Sequence, residues 1–157
     1  REMTGSPEDL VVIIENPKGW KNWIENFKSG KLIEEINPEH KVFYQAIKSP
    51  FPFSDRDVVY ESKILRDQPK TIRVEMKSIP HPMAPSTIGV RINILFSRYQ
   101  IEKVDDNTML VTFETLSDPG GALPGFVVNW ASASYPITLL EGLRNELKTI
   151  QKKVSKE

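Results

Sequence analysis

The sequence predicts an α+β domain. A curved antiparallel sheet carries two short helices, a long C-terminal helix lies across its concave face, and an apolar cavity remains between the two layers. Three observations lead there. From Phe27 to Leu116 apolar and polar residues alternate in short stretches separated by turn residues, the period of half-buried strands. From Leu123 to Val154 the period changes, with Leu123, Val127, Trp130, Ile137, Leu140, Leu143, Leu147, Ile150 and Val154 recurring at steps of three and four, Ala133 or Ser134 filling the middle. Finally, 157 residues at 39% hydrophobic content suit one domain with room for a sizeable core or an internal cavity.

In chain order, Arg1 to Gly5 reads as the tail of a strand arriving at Ser6, a helix N-cap followed by Pro7 and Asp9. Leu10, Val11, Ile13 and Ile14 form the apolar face of this short helix, which Asn16-Pro17 ends. A second short helix from about Gly19 to Ile24 carries Trp20 and Trp23, expected to pack helices onto the sheet. Six strands are then expected near Lys28–Ile36, Lys41–Ile47, Asp57–Arg66, Thr71–Ile79, Gly89–Val104 and Met109–Ser117. The turns between them are short enough for antiparallel neighbours. In the fifth strand Val90, Ile92, Ile94 and Phe96 share one phase and Tyr99 and Ile101 the other, which calls for a bulge near Ser97-Arg98.

The last helix is led in by Asp118-Pro119-Gly120-Gly121, and Pro124 suits its first turn. Pro136 lacks an N–H and crowds the carbonyl of Ser132, so a kink is expected there. The two halves of this helix differ. From Phe126 to Leu140 the sides off the stripe are also apolar or small, whereas from Glu141 onward they are charged. The first half must therefore be covered nearly all round, or face something apolar that is not protein.

Composition narrows the function classes. Twenty-one basic and twenty-one acidic side chains cancel without clustering, which argues against nucleic acid as a partner. The absence of Cys removes disulfides, thiolate metal sites and a Cys nucleophile. His40 and His81 have no ligand spacing to each other or to carboxylates, so no metal or other cofactor is expected. No run is long and apolar enough for a transmembrane helix, and a cytoplasmic location is expected unless a leader precedes residue 1.

Two motifs carry a family resemblance. Pro52-Phe53-Ser54-Asp55-Arg56-Asp57-Val58-Val59 resembles the segment that precedes the central strand of START domains, the lipid-transfer domains related to steroidogenic acute regulatory protein. Asp118-Pro119-Gly120-Gly121-Ala122-Leu123-Pro124-Gly125-Phe126-Val127-Val128-Asn129, with Pro136 and Leu143-Arg144, resembles their C-terminal segment, and Gly89-Val90-Arg91 falls between the two at a fitting distance. The resemblance implies the helix-grip fold, an internal cavity that takes one lipid or similar apolar molecule, and no catalysis. It implies that Arg56 and Asp57 are structural, fixing a turn. It also implies a helix and one or two strands before residue 1, an edge that a second copy could fill in a homodimer, and transient contact with a membrane.

Parity selects Tyr44, Tyr60, Met76, Ile92, Ile94, Phe96, Val111 and Phe113 from the sheet as candidate ligand-binding walls, with Phe126, Val127 and Trp130 from the helix. A gate is expected where the proline-rich Pro80–Thr87 loop, with Pro82 and Met83 at its tip, packs near Phe126–Trp130 beside a Gly120-Gly121 hinge. The alternative function is that of a helix-grip enzyme of the polyketide aromatase/cyclase type, which needs polar groups converging in the cavity. Tyr44, Arg91, Asn93 and Tyr135 are the candidates for that role.

Overall fold

A computed structural model describes residues 1–156. Eight strands form one sheet: β1 (Glu2–Thr4), β2 (Phe27–Asn37), β3 (His40–Ile47), β4 (Arg56–Gln68), β5 (Thr71–Ser78), β6 (Val90–Arg91), β7 (Asn93–Lys103) and β8 (Thr108–Asp118). Their spatial order is β1-β8-β7-β5-β4-β3-β2, all antiparallel, with β6 pairing in parallel to the start of β4. Two strands exceed the six expected from sequence. The tail read in Arg1–Gly5 is β1, where Met3 lies opposite Met109. The stretch expected as one strand, Gly89–Val104, divides at Ile92. Val90 and Ile92 donate their N–H groups to the carbonyls of Asp55 and Asp57, so the chain first runs beside β4 and only then turns to join β5.

The helix α1 (Pro7–Ile14) begins at Ser6, whose side chain accepts from the N–H of Asp9. Next comes a 3-10 helix, Pro17–Asn22, tied back to α1 by Trp20 Nε1 donating to the Ile14 carbonyl at 2.9 Å. Trp20 sets its edge on Phe43 with ring centroids 5.3 Å apart. The core lies between these helices and the concave face of the sheet, where Phe43, Tyr60, Ile64, Val74, Tyr99, Ile101, Met109 and Val111 meet Leu10, Ile14, Trp20 and Trp23. Register shifts in β2 (between Phe27 and Ser29 and between Leu32 and Glu34), in β4 and in β7 bend the strands and give the sheet its curve.

The bulge in β7 falls between Ile94 and Phe96, earlier than Ser97-Arg98. This changes the phase of one candidate. Ile94, Ser97, Tyr99 and Ile101 face inward, and Phe96 turns to the convex face, where the Arg98 guanidinium lies 5.3 Å from its ring.

The long helix α2 (Gly125–Ser155) runs as one element through Pro136. At 1.5 Å per residue it is roughly 46 Å long, enough to span the sheet. Its second half is seated by Leu139, Leu143 and Leu147, one every turn and all buried. Gly142 lies on the same side, and a Cβ there would come within 2.2 Å of the Trp23 carbonyl oxygen, so backbone meets backbone at this point. The first half is not covered as its composition led us to expect: Phe126 is 76% and Trp130 70% exposed. Among the described residues, the buried side chains of the helix all come after Tyr135, whose own ring meets Phe113 edge-on at 6.1 Å.

Candidate functional site

The gap between sheet and helix is a cavity of about 60 Å3. That is space for roughly four or five water molecules, far below the volume of a lipid. Its floor comes from β3, β4, β5, β7 and β8, one wall from α1 and the 3-10 helix with the residues after it, and its roof from Tyr135 and Leu139 of α2. Of the residues chosen by parity, Tyr60, Met76, Ile94 and Phe113 line it. Val111 is buried on the same face deeper in the core, and Ile92 packs at the core's margin. Val127 is half-buried at the start of α2.

Tyr44 and Phe96 are corrected: both lie on the convex face. Strand β3 presents Phe43 and Gln45 to the core, so Tyr44 must point the other way, where it packs with Val42, Ala46 and Val59 and donates to Asp57 at 2.9 Å. Phe126 and Trp130 are corrected as walls, because both are in solvent.

Parity with the bulge misplaced overlooked Ser97, and attention to large apolar side chains overlooked Gln45; Tyr99, inward with the bulge at either place, was also missed. Trp23, Ile24 and Leu139 complete the lining with Ile14 and Trp20. Polar groups are thus frequent in the wall. Three phenols, Tyr60, Tyr99 and Tyr135, border the cavity with the Gln45 amide, and the Trp23 indole N–H is buried there without a partner in the protein. Desolvation pushes the Tyr60 and Tyr99 hydroxyls well above the ordinary phenol range; Tyr60 also feels the charge of Tyr135 and Glu15, and Tyr99 that of Tyr135 and Tyr60. Tyr135 is pushed up to about 12 by desolvation, although almost half of the side chain is exposed.

Two neighbouring residues of the Pro52–Val59 motif hold the frame around this cavity from opposite faces of β4. Arg56 turns inward and donates to the carbonyls of Ser54 (2.6 Å), Gly120 (3.0 Å) and Pro119 (3.3 Å) and to Ser49 Oγ (3.4 Å). It clamps the turn before α2, in which Gly120 and Gly121 have φ of 69° and 71°. Asp57, fully buried, accepts from Arg91 Nε (2.7 Å), Tyr44 (2.9 Å), the N–H of Ile88 (3.0 Å) and Thr87 (3.1 Å).

The Pro80–Thr87 loop does not pack near Phe126–Trp130. It lies on the convex face, with Ala84 against the Tyr44 cluster, His81 beside Glu34 and the Pro85 carbonyl accepting from Arg91. Bonds from Thr87 and Ile88 to Asp57 draw it to that side. Pro82 and Met83 are exposed at its tip. The polar set that a cyclase would need is likewise dispersed, since Tyr44 and Arg91 meet on Asp57 at the convex face, Asn93 is exposed, and Tyr135 alone reaches the cavity.

The START-domain family profile matches residues 5–156. The chain belongs to the START-domain family. Among the START relatives, phosphatidylcholine transfer protein of Mus musculus is 28% identical over 148 residues, which cover 92% of this chain and 64% of the relative. Rho GTPase-activating protein 7 of Canis lupus familiaris is 27% identical over 135 residues, 85% of this chain and 12% of that protein. The chain thus spans less than two thirds of the mouse protein's length. Among solved structures, human STARD10 superposes with a TM-score of 0.86 at 21% identity, covering 99% of this chain and 65% of that one. Zhui aromatase/cyclase from Streptomyces gives 0.55 at 12% identity, over 94% of this chain and 92% of that one, a likeness of fold alone.

Proposed function

We propose that this START domain binds, and transfers, a lipid or similar apolar small molecule between the concave face of its sheet and the first half of α2, without catalysis and as a single domain. The observation that carries this reading is the asymmetry of α2. Its second half is locked to the core by Leu139, Leu143, Leu147 and the Gly142 contact, while its first half is apolar on every side and stands largely in solvent. Apolar surface of that extent is stable in water only when it has something to cover. A ligand that parts the first half of α2 further from β7 and β8 would enlarge the small cavity and cover this surface at once. The phosphatidylcholine transfer protein among the relatives supports a lipid as the ligand class. Exposed Phe126 and Trp130 support transient contact with a membrane during exchange.

Native mass spectrometry of protein incubated with mixed lipid vesicles and re-isolated tests the reading. The expected result is one lipid per chain and a rise in thermal midpoint with added lipid. Protein recovered without lipid, and with an unchanged midpoint across fatty acids, phospholipids, sterols and isoprenoids, would falsify it.

A further inference from the structure

The cavity wall states what kind of head it can receive. Among the described residues, no Asp, Glu, Lys, Arg or His side chain lines it. The charged groups nearest the frame are already spent: Arg56 on four oxygens, Asp57 and Arg91 on each other across the sheet. Glu15, whose charge reaches Tyr60, is held by Lys41 Nζ and Ser62 Oγ at 2.8 and 2.9 Å. What lines the space are residues with neutral hydrogen-bonding groups, namely Tyr60, Tyr99, Tyr135, Gln45, and Ser97, which shares its hydroxyl with Thr115 at 2.6 Å.

Tyr60 and Tyr99 are each more than nine-tenths buried in the cavity wall, and a buried hydroxyl needs a partner. An oxygen supplied from inside the cavity would provide one. A phosphodiester brought here would lose its water and find no cation, and a quaternary ammonium attracted by the aromatic rings would bring its phosphate with it. The same hostility to charge raises the pKa of all three phenols.

Building on the carrier reading above, we propose that the cavity receives the uncharged, oxygen-bearing head of a neutral lipid of the acylglycerol or long-chain alcohol class. Its oxygen pairs with the hydroxyls of Tyr60 and Tyr99, and Tyr135 and Gln45 complete the hydrogen bonds. The chain thereby departs in ligand charge from the relative named for phosphatidylcholine.

The test is competitive uptake from vesicles of phosphatidylcholine and phosphatidate carrying dioleoylglycerol at equal mole fraction, with the lipids of the re-isolated protein quantified. Dioleoylglycerol should exceed each phospholipid by about tenfold or more, the ratio that one well-made polar contact gives. Either phospholipid bound at a comparable level overturns the neutral-head proposal and leaves the carrier reading standing. Recovery of no lipid overturns both. The Tyr60→Phe/Tyr99→Phe double variant keeps both rings and removes the two hydroxyls. Its dioleoylglycerol uptake should fall about fivefold or more while its uptake of the hydrocarbon squalene stays the same. An equal fall for both, or none for dioleoylglycerol, removes the assigned role of the two hydroxyls.

Discussion

At the scale of single residues, Arg56 and Asp57 divide the work of one motif because consecutive strand residues face opposite sides. The Asp57 carboxyl is buried, which raises its pKa, but the bonds from Arg91, Ile88 N–H, Tyr44 and Thr87 outweigh that and hold it below the usual carboxylate value. A folded-state pKa below the unfolded one contributes stability that is complete above the unfolded value of about 3.9 and is lost as pH falls toward the folded value. Asp57→Asn should therefore cost about 2–4 kcal/mol near neutral pH, where it leaves Arg91 without its partner. Below about pH 4 the variant's stability should change less with pH than that of the parent. Denaturant unfolding across the acid range measures both. Parallel curves for the two proteins would mean that the Asp57 charge is not what the convex side is built on.

At the scale of elements, α2 is decided by its middle. Substituting Gly142 by Ala would ordinarily favour a helix by about 1 kcal/mol. Here the new methyl meets the Trp23 carbonyl oxygen at 2.2 Å, and the obstacle is backbone that cannot swing aside. We expect Gly142→Ala to destabilise by about 1–3 kcal/mol, the range for overpacking, with the helix lifted from the 3-10 segment. A gain in stability would show that the contact yields easily. The helical period was readable from residues 123 to 154, but it was ambiguous about which side faces the core. Leu140 and Ile137 were counted in the apolar stripe, yet the buried line is Leu139, Leu143, Leu147, with Ile137 exposed. On a helix so rich in apolar residues several stripes compete, and the position of Trp23 beneath Gly142 chooses among them.

At the scale of the whole molecule, the carrier reading makes the first half of α2 the part that moves relative to the sheet. The proline-rich loop is held to the opposite face, and the Gly120-Gly121 turn is clamped by Arg56. Phe113 and Tyr135 are the pair that joins the first half to β8, with ring centroids 6.1 Å apart. The chain contains no Cys, so cysteines placed at 113 and 135 can be bridged by a short thiol cross-linker without side reactions. Relative to the same double variant left unbridged, release of bound lipid to acceptor vesicles should slow by about fivefold or more, while thermal unfolding remains cooperative. Equal release rates would put the exit at another edge of the cavity.

The sequence by itself determined the elements. Alternation marked the strand around Val74, Ser6 and Asn16-Pro17 bounded the first helix, and the two motifs around Arg56-Asp57 and Asp118–Asn129 sufficed to place the chain in its family. Such features are local, or depend on spacing along the chain, and a period or a cap needs no knowledge of what lies opposite. Which side chains meet in the cavity was decided only by tertiary structure. One bulge, at Ile94–Phe96 and not at Ser97-Arg98, exchanged Phe96 for Ser97, because a slip of one residue turns the side chains between the two positions to the other face. Tyr44 carried no sign in sequence that Asp57 would claim its hydroxyl on the convex side, and Trp23 none that its indole N–H would be buried unpaired, since both depend on partners far away in the chain that only the closed fold brings near.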